Sequence, residues 1–294
     1  MLFPGALGDL LCCWPGLAAL CADGAALTLV AGPAAAAALP VDAVETRSID
    51  RREVADLYAS GPLGDATRAL FRGYTRVESF TGYGNAGFGA RLAEASGRAP
   101  RIHPFRGMRA GEHATQYYAR CLGAVARRVT LPVAADAAAH VAALWRSADL
   151  GERALVVHPG SGSPRKNWDG TAAACTAWRA GGGRVLGVAG PADVGSLEAL
   201  PCDAVLCDAP LPQVAAALAH SHRYLGNDSG ISHFAGLVGA RGVAVFGDTD
   251  PAIWHPPDSI RVLHAPIVCV ACGPGRLCTH RVPVEAVVSA LGVP

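Results

Sequence analysis

The sequence predicts an α/β protein of two domains, each built on a mostly parallel sheet. Two domains are expected because 294 residues exceed the roughly 100–200 residues of a typical single domain. Parallel sheets are expected because short apolar runs alternate with helix-length amphipathic segments. A hydrophobic content of 51% allows large cores and excludes intrinsic disorder. We place the domain boundary after Trp145, which gives domains of residues 1–145 and 146–294.

The second half of the chain shows the clearer alternation of strands and helices. The predicted strands are β-branched runs at Ala154–His158, Arg184–Val188, Ala204–Cys207, Arg223–Leu225 and Gly242–Phe246. Amphipathic helices are predicted between them, near residues 170–180, 193–200, 211–220 and 230–239. A last helix is predicted at Val284–Leu291, with the option that it packs back on the first domain.

The first half follows the same pattern less clearly. A glycine turn at Gly5–Gly8 precedes a helix that we expect to run from residue 9 to about residue 22. A strand is predicted at Leu27–Val30, and helical spacing returns at Glu112–Val125. Low charge and a proline predict a linker around residues 129–150.

Composition excludes several classes of protein. The formal net charge of +1 argues against a nucleic-acid partner. Residues 46–128 nevertheless hold 14 arginines against 7 acidic residues, so one anion-facing surface is expected there. Ten cysteines are too sparse in this chain for a secreted disulfide scaffold. No signal peptide and no apolar run of about 18 residues is evident, so we expect a soluble cytoplasmic protein.

A loop rich in hydrogen-bond donors follows the first strand of the second half, in HPGSGSPRKNW (158–168). Gly160 and Gly162 let backbone N–H groups approach an anion, and Ser161 adds a hydroxyl. Lys166, the only lysine of the chain, adds a positive charge. The spacing is not that of a P-loop. The segment predicts a phosphate-binding loop, with a plain turn as the alternative.

A second loop, GNDSGISH (226–233), again lies between a predicted strand and a helix. Asp228 or Ser229 can cap that helix, whose positive dipole end would face the same crevice. The alternative is a simple cap with His233 packed against the sheet. Because both loops follow strands of one parallel sheet, together they predict a diphosphate held between them.

These motifs resemble glycosyltransferase family 9, the ADP-heptose:lipopolysaccharide heptosyltransferase group. Five stretches carry the resemblance in order along the chain: PGALGDLL (4–11), HATQYYARCLG (113–123), HPGSGSPRKNW (158–168), GNDSGISHFAG (226–236) and VAVFGDTDP (243–251). The resemblance implies a GT-B architecture, with two Rossmann-like domains facing across a cleft. It also implies an inverting sugar transfer without a catalytic metal. Only Met1–Phe3 precede the glycine loop, where the family has a longer first strand.

The resemblance assigns the donor site to the second domain. The donor it implies is a nucleoside-diphosphate sugar, namely ADP-heptose, and no further cofactor is required. Lys166 would contact the donor phosphates, and Asp193 would contact the nucleoside. The complete set of implied donor-binding residues is Ser161, Gly162, Lys166, Asp193, Asp228, Ser229, Gly230 and His233.

On the acceptor side, the resemblance implies that Asp9, next to Gly8, is the general base. Inverting transfer needs a group that takes the proton of the attacking hydroxyl, which a carboxylate can do. The alternative is that Asp9 only caps a helix. We expect Arg98, Arg101 and Arg106 to face the acceptor or a membrane surface, with a solvated surface as the alternative. The implied acceptor is a glycan such as lipopolysaccharide core, with a peripheral contact at the inner membrane.

The cysteines near the end of the chain leave one further alternative. Cys269, Cys272 and Cys278 would bind a structural metal only with one more ligand, so we expect a thiol-lined loop or a disulfide instead. Two rival functions also stay open. One is a sugar-nucleotide epimerase of the same shape, which needs no acceptor base, and the other is a non-catalytic nucleotide-binding protein.

Overall fold

The computed structural model describes residues 1–33, 37–39, 44–191, 193–247, 249–265 and 278–293. The chain forms two compact units, Met1–Arg128 and Val129–Pro294, each with its own parallel sheet. The division lies 17 residues before the predicted boundary after Trp145, because a helix in the expected linker region belongs to the second unit. No helix of the described residues is long and apolar enough to cross a membrane.

The first unit has a five-stranded sheet. Its strands are Leu2–Phe3 (β1), Leu27–Ala31 (β2), Val44–Ser48 (β3), Glu78–Ser79 (β4) and Arg101–Ile102 (β5). Its described helices are Leu7–Ala22 (α1), Arg52–Asp56 (α2), Asp65–Phe71 (α3), Ala86–Ser96 (α4) and Ala114–Cys121 (α5). The strand order is β3-β2-β1-β4-β5 and all pairs are parallel. The order reverses between β1 and β4, and ligands bind at such switch points, outside the carboxyl ends of the strands.

Close packing fixes the loops around β1. α1 packs on α5, and Gly16 allows this contact because a Cβ there would lie 2.9 Å from Cα of Ala119. The ring of Phe3 lies edge-on to Phe80 at 5.5 Å and to Phe105 at 5.7 Å between centroids. Such edge-to-face pairs are favourable, so the segments after β1, β4 and β5 are held together at one edge of the sheet.

The second unit has a six-stranded sheet. Its strands are Ala154–His158 (β6), Arg184–Ala189 (β7), Ala204–Cys207 (β8), Arg223–Asn227 (β9), Gly242–Phe246 (β10) and Ile260–His264 (β11). Its described helices are Ala135–Ser147 (α6), Thr171–Ala180 (α7), Leu211–His220 (α8), Gly230–Leu237 (α9), Pro251–Trp254 (α10) and Val284–Leu291 (α11). The order β11-β10-β9-β6-β7-β8 is all parallel and reverses between β6 and β9. All five strands predicted here are confirmed, and β11 was not predicted.

Two predicted segments of this unit were wrong. The linker expected at residues 129–150 contains α6, whose buried Ala137, Val141 and Trp145 recur every four residues and form one helix face. Alanine-rich segments favour helix strongly, and this preference outweighs the low charge of the segment. The helix expected near residues 193–200 is only a short 3-10 turn.

The last helix, α11, packs within its own unit. Val287 and Leu291 are buried in the core that contains Cys175 and Trp178 of α7. Burial of these apolar side chains, each worth about 1.5–3 kcal/mol, accounts for its position.

Candidate active site

An ion pair joins the two donor-rich loops of the second unit. Lys166 lies in a 3-10 turn after β6, and its Nζ is 2.6 Å from Oδ2 of Asp228, which directly follows β9. The side chain of Asp228 is 8% exposed and that of Lys166 is 28% exposed. Since β6 and β9 meet at the switch point of the sheet, these two predicted phosphate-binding residues lie in the crevice where ligands bind in such folds.

Asn227 fixes the two loops relative to each other, and we did not predict it as a site residue. Its side chain is almost fully buried. Oδ1 accepts a hydrogen bond from N of Trp168 at 3.0 Å, and Nδ2 donates to the carbonyl oxygen of Pro159 at 2.6 Å. One amide therefore ties the end of β9 to both ends of the loop after β6. The available signal was a polar residue ending an apolar strand, because buried polar groups need partners.

The hydroxyl of Ser161 shapes the first loop from within. Its Oγ lies 2.6 Å from the carbonyl oxygen of Ser163 and 2.7 Å from Oδ1 of Asn167. Gly162 is exposed, and no atom lies within 4 Å of the position that a Cβ would take there. The backbone at Gly162 is therefore open to approach by a ligand, whereas the Ser161 hydroxyl is already engaged.

The N-terminus of α9 is not capped by a side chain. Ser229 is the N-cap residue and makes no capping bond, while the Asp228 carboxylate binds Lys166. Ser229 therefore occupies the predicted N-cap position, but the predicted side-chain cap does not form. The helix begins at Gly230, and its first-turn N–H groups and positive dipole end lie at the same strand end as Lys166. His233 is buried on this helix.

Asp193 lies against the glycine loop. A Cβ on Gly160 would fall 2.2 Å from Cγ of Asp193, so only glycine fits there. His158, the last residue of β6, has Nε2 3.9 Å from Oδ2 of Asp193, and its buried Nδ1 has no hydrogen-bond partner. Burial lowers the pKa of His158 to about 4 and raises the pKa of Asp193. The imidazole is therefore neutral near pH 7.

In the first unit, Asp9 lies in the first turn of α1 and is buried. The N-cap residue is Ala6, so the alternative that Asp9 is the N-cap is wrong. Arg106, which follows β5, places Nη2 3.2 Å from Oδ1 and 3.5 Å from Oδ2 of this carboxylate. A Cβ on Gly5 would lie 2.7 Å from Cβ of Asp9, so glycine is required beside it. The carboxylate is thus oriented by the segments after β1 and β5, and Gly8 is half-buried in the same turn.

The other two predicted acceptor-side arginines bind backbone carbonyls. Arg98, before β5, donates to the carbonyl oxygen of Thr75, before β4. In a parallel sheet this is the amino edge, opposite the edge that carries Asp9. Arg101 donates to the carbonyl oxygen of Cys121 at 2.7 Å, at the C-terminus of α5. Cations at this position stabilise the helix end, and the structure brings only Arg106 of the three to Asp9.

The predicted cysteine loop is described only in part. Cys269 and Cys272 lie outside the described residues, and Cys278 is buried. Within the described part of the chain, no group of three or more His, Cys, Asp or Glu side chains is arranged to hold a metal ion.

Comparison with known proteins finds one matching family model and several solved structures of similar fold. The family model for glycosyltransferase family 9 (heptosyltransferase) matches residues 125–266. No curated protein sequence matches the chain. The glycosyl transferase family 9 protein from Veillonella parvula DSM 2008 is 18% identical with a TM-score of 0.77, over 98% of this chain and 94% of its own. E. coli ADP-heptose lps heptosyltransferase II is 18% identical with a TM-score of 0.72, over 99% and 96%.

A third solved structure is the dodecameric iron-containing heptosyltransferase TibC of enterotoxigenic E. coli, in complex with ADP-D-beta-D-heptose. It is 14% identical with a TM-score of 0.55, over 92% of this chain and 63% of its own. At these identities the structural matches establish the fold. The predicted α/β GT-B class is thereby confirmed, and the family model supports the predicted resemblance to glycosyltransferase family 9 over residues 125–266.

Proposed function

We propose that the protein is an inverting heptosyltransferase. It moves a heptose from ADP-heptose to a glycan acceptor such as lipopolysaccharide core, in the cytoplasm or at the inner membrane surface, without a catalytic metal. The observation that carries the proposal is the meeting of Lys166, Asp228 and the uncapped N-terminus of α9 at one switch point. A cation and free N–H groups at a strand end are the chemistry that a diphosphate needs.

The donor step follows from these charges. A donor diphosphate competes with Asp228 for Nζ of Lys166 and accepts hydrogen bonds from the first turn of α9. Both groups stabilise the negative charge that grows on ADP as it leaves. Asp193, held beside Gly160, accepts hydrogen bonds from the ribose hydroxyls. Gly162, with open space around it, lets the backbone reach the phosphates.

In the acceptor step, one carboxylate oxygen of Asp9 takes the proton of the attacking hydroxyl. The hydroxyl oxygen forms a bond to the anomeric carbon, and the bond from that carbon to the phosphate oxygen breaks. ADP leaves with the electron pair, and because the hydroxyl attacks from the face opposite the phosphate, the configuration at the anomeric carbon is inverted. Arg106 orients the Asp9 carboxylate for this proton transfer through contacts at 3.2 and 3.5 Å.

The first experiment tests the donor. We expect ADP-heptose to raise the melting temperature more than GDP-, UDP- or dTDP-sugars. Lys166→Met should weaken ADP binding about 10- to 100-fold, since a hydrogen bond to a charged group is worth about 1.5–3 kcal/mol. Arg165→Met, the neighbouring exposed cation, is the matched control and should bind ADP like the wild type. Equal losses in both variants would contradict the role of Lys166.

The second experiment tests the base. Asp9→Asn should lower transfer to heptose-deficient lipopolysaccharide by about 10²- to 10⁴-fold and leave ADP binding unchanged. Asp23→Asn, at the exposed end of α1, is the control. Unchanged turnover in Asp9→Asn removes this residue from the mechanism. Conversion of the donor sugar without ADP release would support an epimerase, and donor binding without any transfer would support a non-catalytic protein.

The absence of a catalytic metal is tested separately. We expect transfer to persist after dialysis against EDTA, with the metal content of the dialysed protein measured by mass spectrometry. Loss of transfer that returns on addition of one metal ion would refute this part of the proposal.

A further inference from the structure

The exposed aromatic rings of the first unit are concentrated at one turn. Among the residues that the structure describes, Tyr58 and Tyr83 are the only Phe, Tyr or Trp side chains that are exposed, at 50% and 63%. The hydroxyl of Tyr58 lies 2.5 Å from Oγ1 of Thr81, two residues before Tyr83. Tyr83 therefore belongs to the turn that follows β4, and Tyr58, from the segment after α2, contacts this turn through Thr81.

This turn lies next to the segment that carries Asp9. β4 pairs with β1, and N of Phe80 donates to the carbonyl oxygen of Leu2 at 2.9 Å. The chain continues from β1 to Asp9 and from β4 to Tyr83. The strand order reverses between these two strands, so the crevice that an open α/β sheet offers to a ligand has Asp9 on one side and the tyrosine turn on the other.

The turn is rigidly built, although its tip is exposed. Gly82 and Gly84 both have positive φ, at 75° and 79°, which other residues rarely adopt. A Cβ on Gly82 would lie 2.0 Å from the ring of Phe88, and that ring also packs against Tyr58 with centroids 4.7 Å apart. The ring of Tyr58, held in this way, loses little conformational entropy on binding, and Gly82 and Gly84 fix the backbone on either side of Tyr83.

The lack of basic residues in this turn favours a sugar over a lipid surface as its ligand. No lysine or arginine lies between Glu78 and Arg91, and Arg91 is paired with Asp56 at 2.9 Å. Anionic headgroups bind where basic residues cluster, so this turn lacks the main determinant of membrane contact. It offers flat rings with hydroxyls at their edges, which match the apolar C–H face and the hydroxyl rim of a pyranose.

We propose that Tyr83 and Tyr58 form the acceptor-sugar subsite, in which a pyranose ring stacks on Tyr83 beside Asp9. This inference rests on the proposed function, because it takes the ligand of the first unit to be the acceptor glycan. Thr81 and the Tyr58 hydroxyl form the polar rim of the subsite. Tyr83 is a binding residue and takes no part in proton transfer.

The test measures glycan binding directly, so that it does not depend on transfer. The probe is fully deacylated lipopolysaccharide from a heptose-deficient strain, observed by saturation-transfer difference NMR. We expect saturation to reach the C–H protons of the sugar in the wild type and in Tyr83→Phe. Tyr83→Ala should weaken binding about tenfold, as removal of an aromatic anchor does. Val125→Ala, another exposed apolar residue, is the control and should bind normally.

Each outcome decides the inference. Equal glycan binding by Tyr83→Ala and the wild type would overturn it, and so would an absence of glycan binding by the wild type. Binding to vesicles of phosphatidylethanolamine and phosphatidylglycerol is measured in parallel. If Tyr83→Ala loses binding to these vesicles but not to the glycan, the turn is a membrane contact and the inference is overturned. Tyr83-dependent glycan binding in a protein that transfers no heptose would refute the proposed function and leave the subsite standing.

Discussion

Replacing Asn227 by Asp should break one of its two buried hydrogen bonds and keep the other. One carboxyl oxygen can still accept from N of Trp168. The second oxygen would face the carbonyl oxygen of Pro159, to which Nδ2 now donates at 2.6 Å. Two acceptors at this distance repel each other unless the carboxyl group carries a proton. We therefore expect the new carboxyl group to have a raised pKa in the folded protein.

The size of the effect follows from burial. Leaving a buried carbonyl without its donor lowers the free energy of unfolding by about 1–3 kcal/mol. Because Asn227 is only 1% exposed, an unpaired charge at this position raises that loss of stability to about 3–5 kcal/mol. The protonated form avoids most of this loss. Because the folded pKa lies above the unfolded value of about 3.9, the variant loses stability as pH rises from about 4 through the folded pKa. The destabilisation should therefore be larger at pH 8 than at pH 5.

Urea unfolding followed by tryptophan fluorescence measures this difference. Four of the five tryptophans lie in the second unit, so the signal reports mainly on the affected part of the chain. Asn85→Asp is the matched control, since Asn85 caps α4 and Asp is an equally good cap; we expect a change within about 0.5 kcal/mol. A loss below about 1 kcal/mol at pH 8, or an equal loss at both pH values, would refute the reasoning.

Three further predictions test the surroundings of the site. Gly160→Ala places a Cβ against Asp193, so we expect about tenfold weaker ADP binding by calorimetry; Gly195→Ala has open space and should bind normally. His158 stays neutral when folded but takes a proton when unfolded, so the wild type should lose up to about 3 kcal/mol between pH 6.5 and about 4. His158→Gln should flatten this pH dependence in equilibrium unfolding, and an unchanged slope would contradict the role of His158. Leu291→Ala should cost about 2–5 kcal/mol in the unfolding free energy, and a near-neutral effect would contradict the packing of α11.

The parallel strands of the second unit were predictable because both faces of such a sheet are buried. Their sequences therefore read as apolar runs, as in ALVVH and GVAVF. β4 and β5 could not be predicted in this way. Each has two residues, and they include Glu78 and Arg101, so their place in the sheet is set by pairing with neighbours. Propensity at that length carries no signal.

The sequence predicts those parts of the site whose positions are determined by the ends of the strands. Lys166 and Asp228 follow neighbouring strands, and the common edge of a parallel sheet brings them together. The direct pairing of the two side chains depends on their rotamers, which no sequence pattern encodes. Arg98 and Arg106 could not be distinguished without the bounds of β5, because one lies before and the other after a strand of two residues.

Because the chain has a single lysine, an amine-directed reagent can modify only one of its side chains. The remaining 24 basic side chains are arginines, which do not react with amine-directed acylating reagents. Apart from the α-amino group, such a reagent has a single target, Nζ of Lys166, with a side chain 28% exposed. Acylation would cancel its charge and release Asp228. Occupancy of the crevice can therefore be followed as protection of one peptide mass, without an enzymatic assay.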